Sequence, residues 1–75
     1  MSFDPMSGPM QIVLNGETRT VTAGLSVSGL LTELGIDGRK VAVERNLEIV
    51  PKSAFAATAL AEGDRLEIVH FIGGG

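Results

Sequence analysis

The chain has 75 residues, of which 44% are hydrophobic and 20% are charged, and its formal net charge is −3. This length predicts one small domain with a thin core, because such a chain buries only ~60% of the surface that its unfolded form exposes. The absence of cysteine excludes disulfides, thiolate nucleophiles and cysteine-ligated metals, and it suits the reducing cytoplasm. An acidic balance with six scattered Lys and Arg residues argues against a nucleic-acid partner.

The first nine residues contain two prolines and no periodic pattern, which predicts a flexible leader over residues 1–9, either native or added. They lack the basic and apolar regions of a secretory signal, and no apolar run approaches the ~20 residues that a membrane span needs. We therefore expect no membrane partner. A β-hairpin follows, because the β-rich residues 10–14 and 17–22 flank Asn15-Gly16, a pair that favours a type I′ turn.

A helix is predicted after the hairpin. Ser26 suits its N-cap, and Gly35 suits the first position beyond its end. Between them, apolar residues recur at the spacing of one helical face: Val27, Leu30, Leu31 and Leu34. The helix should therefore pack one apolar stripe against a sheet.

The second half of the chain predicts short strands over residues 40–44 and 47–50, joined by a turn at Arg45-Asn46 and ended by Pro51. Residues 52–61 are ambiguous, with a possible helical turn at 53–56 that places Phe55 in the core. A turn at 62–64 then leads into the last strand, residues 65–72, and a glycine tail, residues 73–75.

This order of elements predicts an α+β domain over residues 10–72, with a mixed four- to five-stranded sheet and one main helix on one face. It is the order of the ubiquitin-like β-grasp arrangement, in which the first and last strands pair side by side in the middle of the sheet.

The chain ends in Ile72-Gly73-Gly74-Gly75. Because glycine lacks Cβ, Gly73 and Gly74 could extend through a narrow channel and deliver the Gly75 carboxyl group to another protein's active site. A frayed terminus is the alternative on the residues alone.

The sequence predicts neither a catalytic residue nor a metal site. His70 is the only histidine, and without cysteine it has no second strong ligand for a metal. The serines lie in no G-x-S-x-G elbow, and the carboxylates are spread singly. So small a domain also leaves little room for an enclosed pocket, which favours a module that works with a larger partner.

Alternation in the last strand places Leu66, Ile68, His70 and Ile72 on one face and Glu67, Val69 and Phe71 on the other. If the helix covers only the first face, Val69 and Phe71 form an exposed apolar patch beside the tail. Together with the adjacent Ile72, they are the predicted partner-binding surface. The alternative is that Phe71 folds over a neighbouring strand and closes a thin core.

The Glu62-Gly63-Asp64 turn is followed directly by the last strand and the terminal glycines. Together with residues 10–16, 30–35, 41–46 and 50–52, these segments resemble the ThiS family of sulfur carriers in thiamin biosynthesis. The resemblance covers residues 10–75, and the C-terminal part is the most specific. Val50-Pro51-Lys52 and the Ile-Gly-Gly-Gly ending favour this family over the related molybdopterin synthase small subunit. The family's minimal ending is a glycine pair, so Gly74 and Gly75 match it and Gly73 is an extra link.

The resemblance implies that a ThiF-like adenylyltransferase activates the Gly75 carboxylate with ATP. A sulfur donor, such as a cysteine desulfurase, would then convert it to a thiocarboxylate that supplies a ThiG-like thiazole synthase. The chain would be a carrier without a catalytic side chain or a bound cofactor. The alternatives are a carrier for molybdopterin, cysteine or another product, a ubiquitin-like modifier joined to lysines through Gly75, and a plain interaction module.

Overall fold

The structure, a computed structural model, describes residues 8–71. The predicted leader up to residue 7 and the tail residues Ile72, Gly73, Gly74 and Gly75 lie outside the described residues. The strands are β1 (Pro9–Leu14), β2 (Glu17–Thr22), β3 (Val41–Arg45), β4 (Glu48–Val50) and β5 (Arg65–His70); the α-helix is α1 (Val27–Glu33), and short 3-10 helices span Gly38–Lys40 and Lys52–Ala54.

The five strands form one mixed sheet in the order β2-β1-β5-β3-β4. β1 runs parallel to β5, and every other neighbouring pair is antiparallel. The first and last strands therefore pair in the middle of the sheet, which confirms the predicted ubiquitin-like β-grasp fold.

The core lies between α1 and one face of the sheet. Alternate strand residues are buried there with the predicted apolar stripe of the helix, as expected from the two-residue period of a strand. The fully buried large side chains are Ile12, Val27, Leu30, Val41, Val43 and Leu66. α1 is thus held by its packing more than by its seven-residue length.

The first hairpin and the helix ends form as predicted. Asn15 and Gly16 both adopt positive φ, 48° and 84°, as a type I′ turn requires. The Ser26 hydroxyl accepts a hydrogen bond from the Gly29 N–H, and Gly35 takes a φ of 71° just after the C-cap. β1 begins at Pro9, one residue earlier than predicted.

The segment between β4 and β5 runs beside the start of α1. The Val27 N–H donates to the Thr58 carbonyl, and the Leu60 N–H donates to the Leu25 carbonyl. Phe55 is buried, as predicted, and Leu60 is buried with it. This irregular segment closes the core where the short helix does not reach.

Two predicted details of the second half were wrong. The turn between β3 and β4 is Asn46-Leu47 and not Arg45-Asn46, because Arg45 pairs with Glu48 and closes a two-residue loop. β5 ends at His70, before the predicted limit at residue 72. His70 lies opposite the buried Val41, on the face that alternation predicts, but it is exposed because it lies at the end of the strand.

Candidate functional site

The large exposed apolar side chains of the described chain include Ile49 and Val69 on the sheet face opposite α1, Leu47 in the turn before β4, and Phe71 just after β5. Leu47 is 90% exposed, Ile49 65%, Val69 59% and Phe71 50%. These four residues are called the open face below. The predicted exposure of Val69 and Phe71 is confirmed, and their role in partner binding stays a prediction. Ile72, the third predicted surface residue, lies outside the described part of the chain.

Sequence reasoning missed Leu47 and Ile49. Ile49 lies on β4, directly opposite Glu44, on the same side of the sheet as Val69. Leu47 occupies the second position of its two-residue turn with a φ of 72°. A leucine is costly in this left-handed region, where glycine is preferred, so a leucine directly after a turn asparagine was the available signal.

A network around Asp64 holds the Leu47 turn against β5. The Asp64 carboxylate accepts hydrogen bonds from Arg45 Nε at 2.7 Å, from the Ala61 N–H at 2.8 Å and from Asn46 Nδ2 at 3.1 Å. Burial alone would raise the pKa of Asp64, but these hydrogen bonds from Arg45, Ala61 and Asn46 outweigh it and lower the pKa. The ionised Asp64 side chain therefore links the end of β3 to the start of β5.

Asn46 completes this attachment. Its backbone N–H donates to the Arg65 carbonyl at 2.7 Å, and its side-chain oxygen accepts from the Arg65 N–H at 2.9 Å. The strained backbone of the neighbouring Leu47 is thus imposed by hydrogen bonds to β5. A side chain held out in solvent at such a cost points to contact with another molecule.

A groove of about 150 Å³ lies beside Leu47 and is also lined by Val13, Gly16, Arg65 and Leu66. Glu44 and Glu67 line it and lie directly opposite each other on neighbouring strands. Within residues 8–71, neither carboxylate has a cationic side chain within 4.0 Å, although Arg65 lines the same groove. The groove therefore carries charges of both signs. It is smaller than the usual ~300–1,000 Å³ of a small-molecule site.

The backbone of Phe71 is fixed at the end of β5. Its N–H donates to the Lys40 carbonyl at 2.9 Å, and its ring centroid lies 4.9 Å from the Lys52 ammonium. The alternative in which Phe71 closes the core is therefore wrong, since half of the residue stays exposed. Phe71 is the last residue that the structure describes.

In the described range 8–71, no group of three His, Asp or Glu side chains is placed to hold a metal ion. Over the same range, no helix is long and apolar enough to cross a membrane.

Comparison with known proteins shows the family to which the chain belongs. The model of the ThiS family matches residues 12–75. The crystal structure of the thiamine biosynthesis protein (ThiS) from Geobacter metallireducens superimposes with a TM-score of 0.77 at 38% identity, covering 88% of this chain and all of that one. The sulfur carrier protein ThiS of Bacillus subtilis is 40% identical over 50 residues, which are 67% of this chain and 76% of that protein.

A further relative is a larger protein. A thiazole synthase of Paramagnetospirillum magneticum is 64% identical over 66 residues, which cover 88% of this chain and 20% of that protein. This chain thus spans about one fifth of the length of the thiazole synthase that it matches.

Proposed function

Because the chain belongs to the ThiS family, we propose that it is a sulfur carrier for thiamin biosynthesis and that its C-terminal Gly75 bears the sulfur. The observation that carries this proposal is the family match, which extends through the terminal glycines to residue 75. The exposed side chains of Val69 and Phe71, which directly precede that segment in the chain, support it, since a carrier needs a surface for its enzymes.

In the proposed reaction, a ThiF-like adenylyltransferase binds the carrier and ATP. The Gly75 carboxylate attacks the α-phosphorus of ATP, and pyrophosphate leaves. A hydrosulfide then attacks the carbonyl carbon of the acyl adenylate, and AMP leaves to give the thiocarboxylate. If the donor is a persulfide formed by a cysteine desulfurase, a thiol must afterwards cleave the sulfur–sulfur bond. ATP belongs to the partner enzyme, and the chain itself holds no cofactor in this scheme.

The chain's own contribution is positioning. The open face would bind the partner, while Ile72, Gly73 and Gly74 lead the carboxyl group into the active site. No side chain of the carrier takes part in proton or sulfur transfer, so the protein acts as a co-substrate and is not itself an enzyme.

We propose thiazole synthase as the receiver of the sulfur. The 64% identical relative carries that name, so a domain much like this chain occurs within such a protein. A ThiG-like synthase would take sulfur from the Gly75 thiocarboxylate and release the carboxylate for another cycle.

The test is the intact mass of the protein after incubation with a ThiF-like enzyme, ATP and a sulfide source. We expect a gain equal to the replacement of one oxygen by sulfur, located in the C-terminal peptide and absent without ATP. No gain with an active enzyme would contradict the carrier function. Isopeptide-linked adducts would instead identify a protein modifier, and thiocarboxylate that thiazole synthase cannot use would identify a carrier for another product.

A substitution in the glycine tail tests whether the tail passes through a narrow channel of the partner. We expect Gly74→Val to abolish adenylation, because a β-branched side chain blocks a channel wide enough only for glycine. Circular dichroism and thermal unfolding should match the parent protein. Adenylation of Gly74→Val at the normal rate would contradict passage of the tail through a narrow channel.

A further inference from the structure

Lys52 has no role in the proposed reaction, although it belongs to the Val50-Pro51-Lys52 segment. Val50 is buried in the core, and Pro51 ends β4 with a φ of −65° and leads into the 3-10 helix Lys52–Ala54. This turn carries the Lys52 side chain back toward the start of β3. In this segment, Val50 packs in the core, Pro51 turns the chain, and Lys52 carries the cationic side chain.

The Lys52 ammonium lies between backbone and aromatic groups. Its Nζ donates to the Val41 carbonyl at 2.6 Å and approaches the Gly38 carbonyl at 3.4 Å. It lies 4.9 Å from the ring centroid of Phe71 and 5.9 Å from that of Phe55. Among the described residues, no carboxylate lies within 4.0 Å of this ammonium. The rings and carbonyls therefore supply its electrostatic partners.

These contacts converge on the residue from which the tail begins. The Phe71 backbone is tied to β3 through the Lys40 carbonyl, and the Phe71 ring is tied to β3 through Lys52 and the Val41 carbonyl. A residue held by both its backbone and its side chain has little freedom left to lose when a partner binds.

We propose that Lys52 is a positioning residue, which holds the Phe71 ring and so presets the backbone from which the reactive C-terminal segment continues. The expected effect of Lys52 on adenylation rests on the proposed sulfur-carrier function. The expected effect of Lys52 on the order of Phe71 rests on the described contacts alone. In this proposal Lys52 acts through Phe71 and has no direct part in the chemistry at ATP or at the Gly75 carboxyl group.

The kinetic experiment measures adenylation by a ThiF-like enzyme for Lys52→Met, Lys52→Arg and Lys40→Met. Loss of the cation–π contact should raise KM for the carrier about two- to fivefold and leave kcat unchanged, because only ordering of the free carrier becomes costlier. Lys52→Arg should restore the parent KM, since guanidinium also packs on aromatic rings. Lys40→Met is the matched control, because it removes the same charge nearby and leaves the Lys40 carbonyl in place.

A double-mutant cycle separates the Phe71 contact from a general effect of charge. In a Phe71→Leu background, Lys52→Met should raise KM no further, because the ring through which Lys52 acts is gone. Equal effects of Lys52→Met in both backgrounds would overturn the proposal. So would a KM for Lys52→Met equal to that of Lys40→Met.

Amide hydrogen exchange gives a readout that needs no partner enzyme. The Phe71 amide should exchange faster in Lys52→Met than in the parent and in Lys40→Met, while core amides of β5 keep their protection. Unchanged exchange at Phe71 would overturn the proposal even if the parent protein is an efficient carrier. If the parent is not adenylated at all, the carrier function fails, and the exchange measurement still decides the role of Lys52.

Discussion

Two hairpin turns flank β5, and they solve the same problem with different residues. Each begins with an asparagine at positive φ, Asn15 at 48° and Asn46 at 52°, and each donates its backbone N–H to β5. The first turn continues with Gly16, which suits the left-handed conformation. The second continues with Leu47, which is strained there and 90% exposed. The first turn thus has the residue that its backbone favours, whereas the second holds an exposed leucine in a strained conformation.

The two asparagine side chains also bond differently to β5. Asn15 both accepts from the Ile68 N–H at 2.8 Å and donates to the Ile68 carbonyl at 3.3 Å, so its amide replaces a backbone partner where β1 has ended. Asn46 accepts from the Arg65 N–H and donates to the Asp64 carboxylate. Only the turn that carries the strained leucine depends on a buried charge.

The largest expected effect is at that charge. Asp64→Ala should lower the free energy of unfolding by about 2–3 kcal/mol, because it removes three hydrogen bonds and leaves Arg45 without its partner. Urea unfolding measures the change. Asp37→Ala is the control, since the Asp37–Arg39 pair is exposed, and it should cost much less. An equal loss in both variants would show that the Asp64 network is not special.

The same network should make stability depend on pH. The pKa of Asp64 is lower in the folded state, so the unfolded chain binds more protons in acid. Its contribution should be complete above about pH 4 and decline as pH falls toward the folded pKa. The Arg39 side chain, by hydrogen bonding, lowers the pKa of Asp37 to about 2, which adds a slope of the same sign.

Urea unfolding of the parent and of Asp64→Asn between about pH 2 and pH 7 isolates the Asp64 part, because Asp37 is present in both proteins. The variant should show the shallower dependence. Parallel curves would mean that Asp64 does not titrate differently in the two states.

Asn15→Gly tests the first turn. Glycine keeps the positive φ and removes both side-chain hydrogen bonds to Ile68, so we expect a loss of about 1–2 kcal/mol in urea unfolding. Exchange of the Ile68 amide should become faster. Asn15→Ala should cost more than Asn15→Gly, because alanine adds the backbone penalty. A fully stable Asn15→Gly would mean that water replaces the amide at no cost.

The smallest expected changes come from exchanging the second residues of the turns. Gly16→Leu should destabilise by about 1 kcal/mol through backbone strain alone, since a Cβ there meets no atom within 4 Å. Leu47→Gly should be neutral or stabilising by up to about 1 kcal/mol, because released strain is partly offset by glycine's greater unfolded-state entropy. Thermal and urea unfolding measure both.

Adenylation kinetics of the same two variants test whether Leu47 contacts the partner enzyme. Leu47→Gly should raise KM for the carrier, whereas Gly16→Leu should leave it unchanged. A Leu47→Gly variant that gains stability and keeps its KM would show that Leu47 is not a partner contact.

The first turn was predictable from sequence because its signal is local, an Asn-Gly pair between two β-rich segments. The helix was predictable for the same reason, with its cap, its apolar period and its terminal glycine within ten residues. The second turn was shifted by one residue in the prediction. Its position is fixed by hydrogen bonds from Asn46 to Arg65, a residue 19 positions away, which no local pattern contains.

The candidate site divides in the same way. Alternation along β5 was enough to place Val69 on the uncovered face. Ile49 shares that face because the pairing of β4 with β3 turns it to the side of Val69. Lys52 approaches Phe71 only because the chain bends at Pro51. These contacts join residues that are distant in the chain.

The sequence alone therefore determined the order of elements, the β-grasp fold and the resemblance to sulfur carriers, because these follow from local periodicity, turn residues and motifs. Only the tertiary structure decided which side chains share the open face, why Asp64 keeps its charge while buried, and what Lys52 contacts. The physical reason is that burial, strain and pKa are set by neighbours brought together by folding.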